Sequence, residues 1–360
     1  MSLTILLLVV SFLIGGIVIS AVSNLVLLRF SESLGIRNKN DITIRWSNES
    51  KPSLGGVSFF VVFIFATIAH LIFFYDENIF HNNTYHIEFT GLFIAGSIAF
   101  LMGLADDAYN TKPLIKLFAQ ILCGVIFVYS GTVIHLFDNN MLNAVFTVLW
   151  VIVIMNSLNM LDNMDGITGT TVFFILLSCL FGHWLINGIN ADIWTLTIIS
   201  VIGGVLGFLK YNIHPSRLFM GDAGSQFIGL FVAFFGVKCL WNASVVSGTN
   251  TWVGLIFVLV AFTPSAADTL TVVINRLKKG KSPMVGGKDH TTHHLVYAGY
   301  NDKQVWYVFL AIGFFATVLT ILSFLFLVNN IIYPIFFFVF YFLIVFGLLY
   351  RNTIKYPQKK

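Results

Sequence analysis

"MSLTILLLVVSFLIGGIVISAVSNLVLL", residues 1–28, contains no Lys or Arg, and the first basic side chain is Arg29. A secretory signal peptide opens on basic residues and carries an apolar stretch of roughly 7–15 residues. Here the apolar run is longer and the charge lies at its far end, so the stretch predicts a retained transmembrane helix. About 20 apolar residues suffice for a helix to cross a hydrocarbon layer of roughly 30 Å.

The pattern then repeats. Of the 360 residues, 57% are hydrophobic and 10% are charged, and the mean hydropathy is +0.87. Soluble domains carry about 25% charged residues, so a water-soluble fold is excluded. Cys123, Cys179 and Cys239 lie in apolar runs without a CxxC pair, which indicates neither a disulfide framework nor a zinc site. The expected fold is all-α and polytopic, with about 11 transmembrane helices in one integral-membrane domain over residues 1–360. The candidate spans are 3–28, 53–75, 90–105, 114–131, 141–158, 170–186, 193–209, 226–241, 251–274, 305–328 and 331–350. Only Asn329-Asn330 joins the last two, which predicts a tight helical hairpin.

Charge sets the orientation. The segments 29–52, 106–113, 210–225, 275–304 and 351–360, with Lys116 at the start of its span, hold 19 of the 20 basic residues. Cytoplasmic loops collect Lys and Arg, so the N-terminus is expected outside and the C-terminus in the cytoplasm. The opposite loops carry Asp76, Glu77, Glu88, Asp138 and Asp192.

The unusual polar residues collect on the basic side, in the segments 29–52, 106–113, 156–169, 210–225 and 275–304. Lys51 precedes Pro52 at the entry to the second span. A Lys beside a helix N-terminus can hold a phosphate, or it can simply set topology. Asp106 and Asp107 are adjacent carboxylates at a span end; acids there usually face a polar cavity, where a pair can work with a divalent cation or hold a proton through mutual repulsion. In "NSLNMLDNMDG", 156–166, the spacing puts Asn156, Asn159 and Asp162 on one face if the helix continues, with Asn163 and Asp165 following. Such oxygens are the hard ligands Mg²⁺ takes, alongside waters and substrate phosphates. In "NIHPSRLFMGDAGSQ", 212–226, Asp222 alone reads as a helix N-cap, but Asn212, His214 and Arg217 crowd beside it. The loop "RLKKGKSPMVGGKDHTTHHL", 276–295, brings five basic residues before His290, His293 and His294. Cationic side chains closing over a pyrophosphate fit it better than a zinc site does. Asp268, inside a span, stands apart as an intramembrane acid.

Asp and Asn oxygens, glycine turns and basic groups on one face suit phosphoryl transfer, where metal-assisted positioning and charge neutralisation dominate. A transporter is the rival class, but transporters place their sites near the bilayer midplane, and here only Asp268 lies deep.

In order, these segments resemble the motifs of the polyprenyl-phosphate N-acetylhexosamine-1-phosphate transferases, glycosyltransferase family 4, most specifically at "NSLNMLDNMDG" and "FMGDAGS". The resemblance implies a bacterial inner-membrane enzyme with its site facing the cytoplasm. It implies transfer of a sugar-1-phosphate from a UDP-amino sugar to undecaprenyl phosphate, with UMP released and Mg²⁺ required, Mn²⁺ being the second candidate. No nucleic acid is implied, and a homodimer is compatible with it. Asp106, Asp107 and Asp222 match catalytic positions, and Asn159 with Asp222 would hold the metal. Lys51, Asn156, Asp162, Asp165, Arg217, His290, His293 and His294 would bind substrate. The histidine loop reads His-Thr-Thr-His-His rather than His-x-His-His, and it lacks the three consecutive histidines of the phospho-MurNAc-pentapeptide branch. UDP-GlcNAc is therefore the default donor and the peptide-bearing donor the alternative.

Overall fold

The computed structural model describes residues 2–30, 51–73, 83–246, 248, 251–283 and 286–358. Arg37, Lys39, Arg45, Asp76 and Glu77 of the loop readings lie outside the described residues. Among the described residues every regular element is a helix. Among these residues eight helices are long and apolar enough to cross a membrane, and a ninth crossing is formed if one bent pair counts as a span. The chain is thus a multi-pass membrane protein. The two shorter apolar helices, Val57–Ile72 and Pro113–Tyr129, fall on the remaining predicted segments.

The helices are α1 (Leu3–Phe30), α2 (Val57–Phe73), α3 (Asn83–Tyr109), α4 (Pro113–Tyr129), α5 (Asn140–Leu161), α6 (Ile167–Asn187) and α7 (Ile193–Asn212). Then come α8 (Gly221–Phe235), α9 (Trp252–Ala261), α10 (Thr263–Lys278), α11 (Thr291–Tyr297), α12 (Asp302–Val328), α13 (Tyr333–Phe337) and α14 (Val339–Lys355). The segment predicted at 90–105 extends to Asn83–Tyr109 because its polar ends stay helical.

α8 lies at the centre. Every residue from Ala223 to Phe235 is buried, as expected of a helix that is apolar all round. It packs against α2, α3, α5 and α6 and continues into a π-helical turn, Gly236–Trp241. α1 lies along α7, where Gly203 and Gly207 form a small-xxx-small stripe and Ser20 Oγ donates to the Gly204 carbonyl at 2.7 Å. In lipid, apolar side chains gain little from leaving the solvent, so close packing and such bonds hold helix pairs together.

The segment predicted as one span at 251–274 breaks instead: α9 and α10 meet at 85°. Pro264 sits in the first turn of α10. It lacks an N–H, and its ring clashes with the carbonyl four residues back, which favours a sharp bend at this point. The predicted hairpin at Asn329-Asn330 is present, with Asn330 at φ 59°.

Candidate active site

The polar segments meet at one end of the bundle, around the start of α8. α3 stops because Asn110 takes the left-handed conformation, φ 50°, which Asn tolerates better than most residues. Pro113 opens α4 with its preset φ. This corner leaves Asp106 and Asp107 at the C-terminal end of α3, facing different partners. Asp106, 2% exposed, accepts from the Thr111 N–H and hydroxyl, both at 2.8 Å, and pairs with Lys116. Asp107 accepts the Ala223 N–H at 2.8 Å, in the first turn of α8.

Asp222 is not the N-cap that its position in sequence permits. Met220 occupies the cap, with no side-chain cap bond, and Asp222 lies in the first turn. Its Oδ1 accepts instead from Asn159 Nδ2, whose second hydrogen reaches Ser225 Oγ at 2.9 Å. The Asp222 and Asp106 carboxyl groups are also within hydrogen-bonding reach of each other. Gly221 enters α8 at φ 78°. A side chain at 221 would run into the Ser53 carbonyl and lie 2.9 Å from Asp107 Oδ2. Thus residues 52–56 can fold over 219–221, pairing through Phe219 N–H to the Pro52 carbonyl at 2.9 Å and Gly56 N–H to the Met220 carbonyl at 2.8 Å.

α5 ends at Leu161, so Asp162 is its C-cap rather than a further member of the helical stripe. Burial, then the charges of Asp222 and Asp107, push its carboxyl up to about 7. Asn156 turns aside from this cluster. It donates to Gln120 Oε1 at 2.7 Å, and Gln120 donates to Gln226 Oε1 at 3.1 Å. The two glutamines complete a polar ladder that nothing in local sequence marks.

A second group forms the rim. Asp165 accepts from the Ser216 N–H at 3.0 Å, the Ser216 hydroxyl at 2.8 Å and His214 Nδ1 at 3.2 Å. Lys51 Nζ reaches Ser216 Oγ at 3.5 Å and lies 5.6 Å from the Phe219 ring centroid. Arg217 is exposed and not joined to this group: its backbone N–H bonds the Tyr211 carbonyl at 2.7 Å.

The histidine loop closes the third side. Arg276 braces it bidentately through Asp289 at 2.8 and 2.7 Å. Burial alone would raise the Asp289 carboxyl, and the guanidinium overrides this and holds it below its usual range. Thr292 Oγ1 donates to Asn163 Oδ1 at 2.6 Å, tying α11 to the turn after α5. His290, His293 and His294 are all buried. His290 bonds Asp268 at 2.8 Å, and His294 Nδ1 donates to the Tyr356 carbonyl at 2.7 Å. Burial, with the neighbouring His290, drives His293 down to about 3.

Among the described residues no three His, Cys, Asp or Glu side chains converge as a ready-made metal site. Mg²⁺, however, commonly uses one or two carboxylates and completes its shell with waters and substrate phosphates. The donor set around Asp222 fits that pattern, being oxygen-rich and crowded with negative charge.

The chain resembles known proteins over this same region. The model of glycosyl transferase family 4 matches residues 89–240. A probable undecaprenyl-phosphate N-acetylglucosaminyl 1-phosphate transferase of Bacillus subtilis (strain 168) is 25% identical over 273 residues, 73% of this chain and 70% of the relative. A decaprenyl-phosphate N-acetylglucosaminephosphotransferase of Mycolicibacterium smegmatis is 27% identical, with 62% of this chain and 60% of that relative covered. A phospho-N-acetylmuramoyl-pentapeptide-transferase of Staphylococcus carnosus is 30% identical over 287 residues, 73% of this chain and 81% of the relative. The fold and these matches define a membrane-embedded phosphosugar transferase rather than a transporter. The chain belongs to the polyprenyl-phosphate N-acetylhexosamine-1-phosphate transferases, glycosyl transferase family 4.

Proposed function

We propose that the chain transfers an N-acetylhexosamine-1-phosphate, with GlcNAc-1-phosphate the default, from a UDP-amino sugar to undecaprenyl phosphate, releasing UMP. The product would initiate a cell-envelope glycan at the cytoplasmic face of the bacterial inner membrane. The observation that carries this reading is the junction at the start of α8, where the Asn159 amide N–H holds the Asp222 carboxylate and the Ala223 N–H holds the Asp107 carboxylate, so that three separate segments meet around two acids.

In the reaction an oxygen of the lipid phosphate attacks the β-phosphorus of the UDP-sugar. A new P–O bond forms there, and the bond from that phosphorus to the bridging oxygen breaks, so UMP leaves with the bridging oxygen. Asp222 and Asn159 would hold Mg²⁺, with Mn²⁺ as a substitute. When bound, the ion neutralises charge between the phosphates and polarises the phosphoryl group. The protein's own part is to position the groups. The second pKa of a phosphate monoester is about 6, so the acceptor is largely dianionic at neutral pH. The Asp pair is then needed to orient it more than to deprotonate it. Asp107, held by the start of α8, and Asp106, held by Lys116, set the acceptor side. Asp162 and Asp165 would line the nucleotide end, with Lys51 at the rim, the exposed Arg217 reaching in from outside that group and the histidine loop above the donor.

The test is incubation of the purified chain with radiolabelled UDP-sugars and undecaprenyl phosphate, with and without Mg²⁺. A labelled lipid that needs the metal, lost in Asp222→Ala with an unchanged melting temperature, supports the reading. No labelled lipid from any UDP-sugar under any metal condition sinks it. A competition panel including UDP-MurNAc-pentapeptide separates the two donor branches. A phosphosugar-enzyme adduct trapped on quenching would replace direct attack by a two-step route.

A further inference from the structure

Asp268 has no part in the transfer scheme above, yet it is the most completely engaged carboxylate in the loop region. It is 0% exposed and is carried on α10, the limb turned 85° from α9. Its Oδ1 accepts the Thr291 N–H at 2.8 Å and the Thr291 hydroxyl at 2.6 Å, and its Oδ2 accepts from His290 Nδ1 at 2.8 Å. The two bonds from Thr291 would be enough to tether the start of α11. The third does something a tether does not need. A carboxylate only accepts, so His290 must carry a proton on Nδ1, and this choice leaves Nε2 with its lone pair when the ring is neutral.

The ring is also held from both sides. Thr292 is tied to Asn163 at 2.6 Å, and Asp289, the residue before His290, is clamped by Arg276. His293 stands edge-on to His290 with ring centroids 5.5 Å apart. The loop is thus held by bonds of its own, and within it Asp268 is bonded to His290 Nδ1 while His290 and His293 close a capping box at the start of α11.

We propose that Asp268 is a positioning residue for transfer: it fixes His290 as the Nδ1–H tautomer and so presents Nε2 to the bound sugar nucleotide, a role that rests on the transfer reading above. Asp268→Asn would keep an oxygen for Thr291 but turn an amide N–H toward Nδ1, moving the ring proton to Nε2 and inverting its hydrogen-bonding sense. A ring held in the wrong tautomer meets the donor with an N–H where an acceptor is needed, and misplacing one such positioning group can cost on the order of 100-fold.

The experiment uses the full-length chain with Asp268→Asn, His290→Ala, the double variant and Thr291→Val. Asp268→Asn should lower kcat about 100-fold with KM for undecaprenyl phosphate within about twofold. The double variant should be no slower than His290→Ala alone, because both changes remove one shared function. Thr291→Val, which takes one bond from Asp268 without touching the imidazole, should cost less than about threefold. A loss from Asp268→Asn that multiplies with that of His290→Ala, or full activity in Asp268→Asn, overturns the proposal. If Asp268→Asn does not fold, ¹⁵N spectra of histidine-labelled wild type decide: an Nδ1–H ring for His290 at pH 8 supports the proposal, and an Nε2–H ring overturns it. Inactivity of the wild type with every UDP-sugar would instead strike the transfer reading, which the tautomer measurement does not depend on.

Discussion

Replacing Gly103 by Ala tests the geometry of the site without touching any group that reacts. Gly103 lies on α3, three and four residues before Asp106 and Asp107, so it shares their face of the helix. Its Cα faces the start of α8, and a methyl group built there would lie 2.5 Å from Ala223 Cα and 2.6 Å from Ala223 N, against 3.4–4 Å for ordinary contact. The obstacle is backbone, so it cannot rotate away; α3 and α8 must separate by about 1 Å. That shift stretches the 2.8 Å bond from Ala223 N–H to Asp107 and moves Asp107 relative to Asp222. A displacement of about 1 Å between groups that must act together can cost about 100-fold in rate. The helix itself gains, since Ala is better than Gly in a helix interior by about 1 kcal/mol, while overpacking costs about 1–3 kcal/mol. Gly103→Ala should therefore stay folded, melt within a few degrees of wild type, and transfer labelled sugar phosphate about 100-fold more slowly in single turnover. Gly15→Ala, where the added methyl meets nothing within 4 Å, is the control and should be fully active. A Gly103→Ala rate within threefold of wild type would refute the claim that α3 and α8 hold the site at contact distance.

Other expectations concern the loop. His293 is 2% exposed and held near 3, well below the ordinary value of about 6.5. Its neutral burial stabilises the fold fully above pH about 6.5, and that stability is lost progressively as pH falls toward 3; at pH 5 the loss is about 2 kcal/mol. Thermal melts at pH 7 and 5 should show a drop in wild type that is smaller by this amount in His293→Asn. Asp289→Ala strands the Arg276 guanidinium, whose side chain is 5% exposed, and should destabilise by about 3–5 kcal/mol. Limited proteolysis between Lys279 and His290 should quicken, and adding Arg276→Met should reverse part of the effect. A stop after Lys355 removes the carbonyl that accepts from His294 Nδ1, whereas a stop after Tyr356 leaves a terminal carboxylate in its place. The first should lower transfer at least tenfold and the second should not; equal rates would show that this bond has no part in turnover.

The helices were legible because lipid imposes a strong rule: each crossing must be long, apolar and internally hydrogen-bonded. Among the described residues eight of the apolar runs hold a helix long enough to cross for that reason, and polar ends such as Asp106 and Asp107 extended them by a turn beyond the apolar core. The rule is silent about direction within a run. Trp252 to Lys278 satisfies it whether straight or bent, so the break at Phe262 depended on Pro264, one residue in an otherwise continuous stretch. Asp222 shows the same limit at a single side chain. An Asp in the first turn of a helix is locally indistinguishable from a cap, and its bond to Asn159, 63 residues earlier, is invisible to any local pattern.

Chemistry was legible where one segment carries several unusual residues, and illegible where a common residue becomes special through a distant partner. "NSLNMLDNMDG" announces itself, whereas Gln120 and Gln226 do so only when paired 106 residues apart. The histidines are the sharpest case. Their composition reads as positive charge ready to close over a pyrophosphate, whereas at His293 burial opposes protonation and drives the ring down to about 3. His294 is aimed at a backbone carbonyl 62 residues onward and His290 at an acid 22 residues back. A histidine held this way recognises a ligand through one defined nitrogen rather than through net charge. Under the proposed function the loop would serve selection by hydrogen-bond geometry, and Lys51 at the rim with the exposed Arg217 would meet phosphate charge. That division of labour predicts opposite salt responses: raising ionic strength should weaken donor capture through Lys51 and Arg217, which screening reaches, and should leave the effect of His290→Ala unchanged.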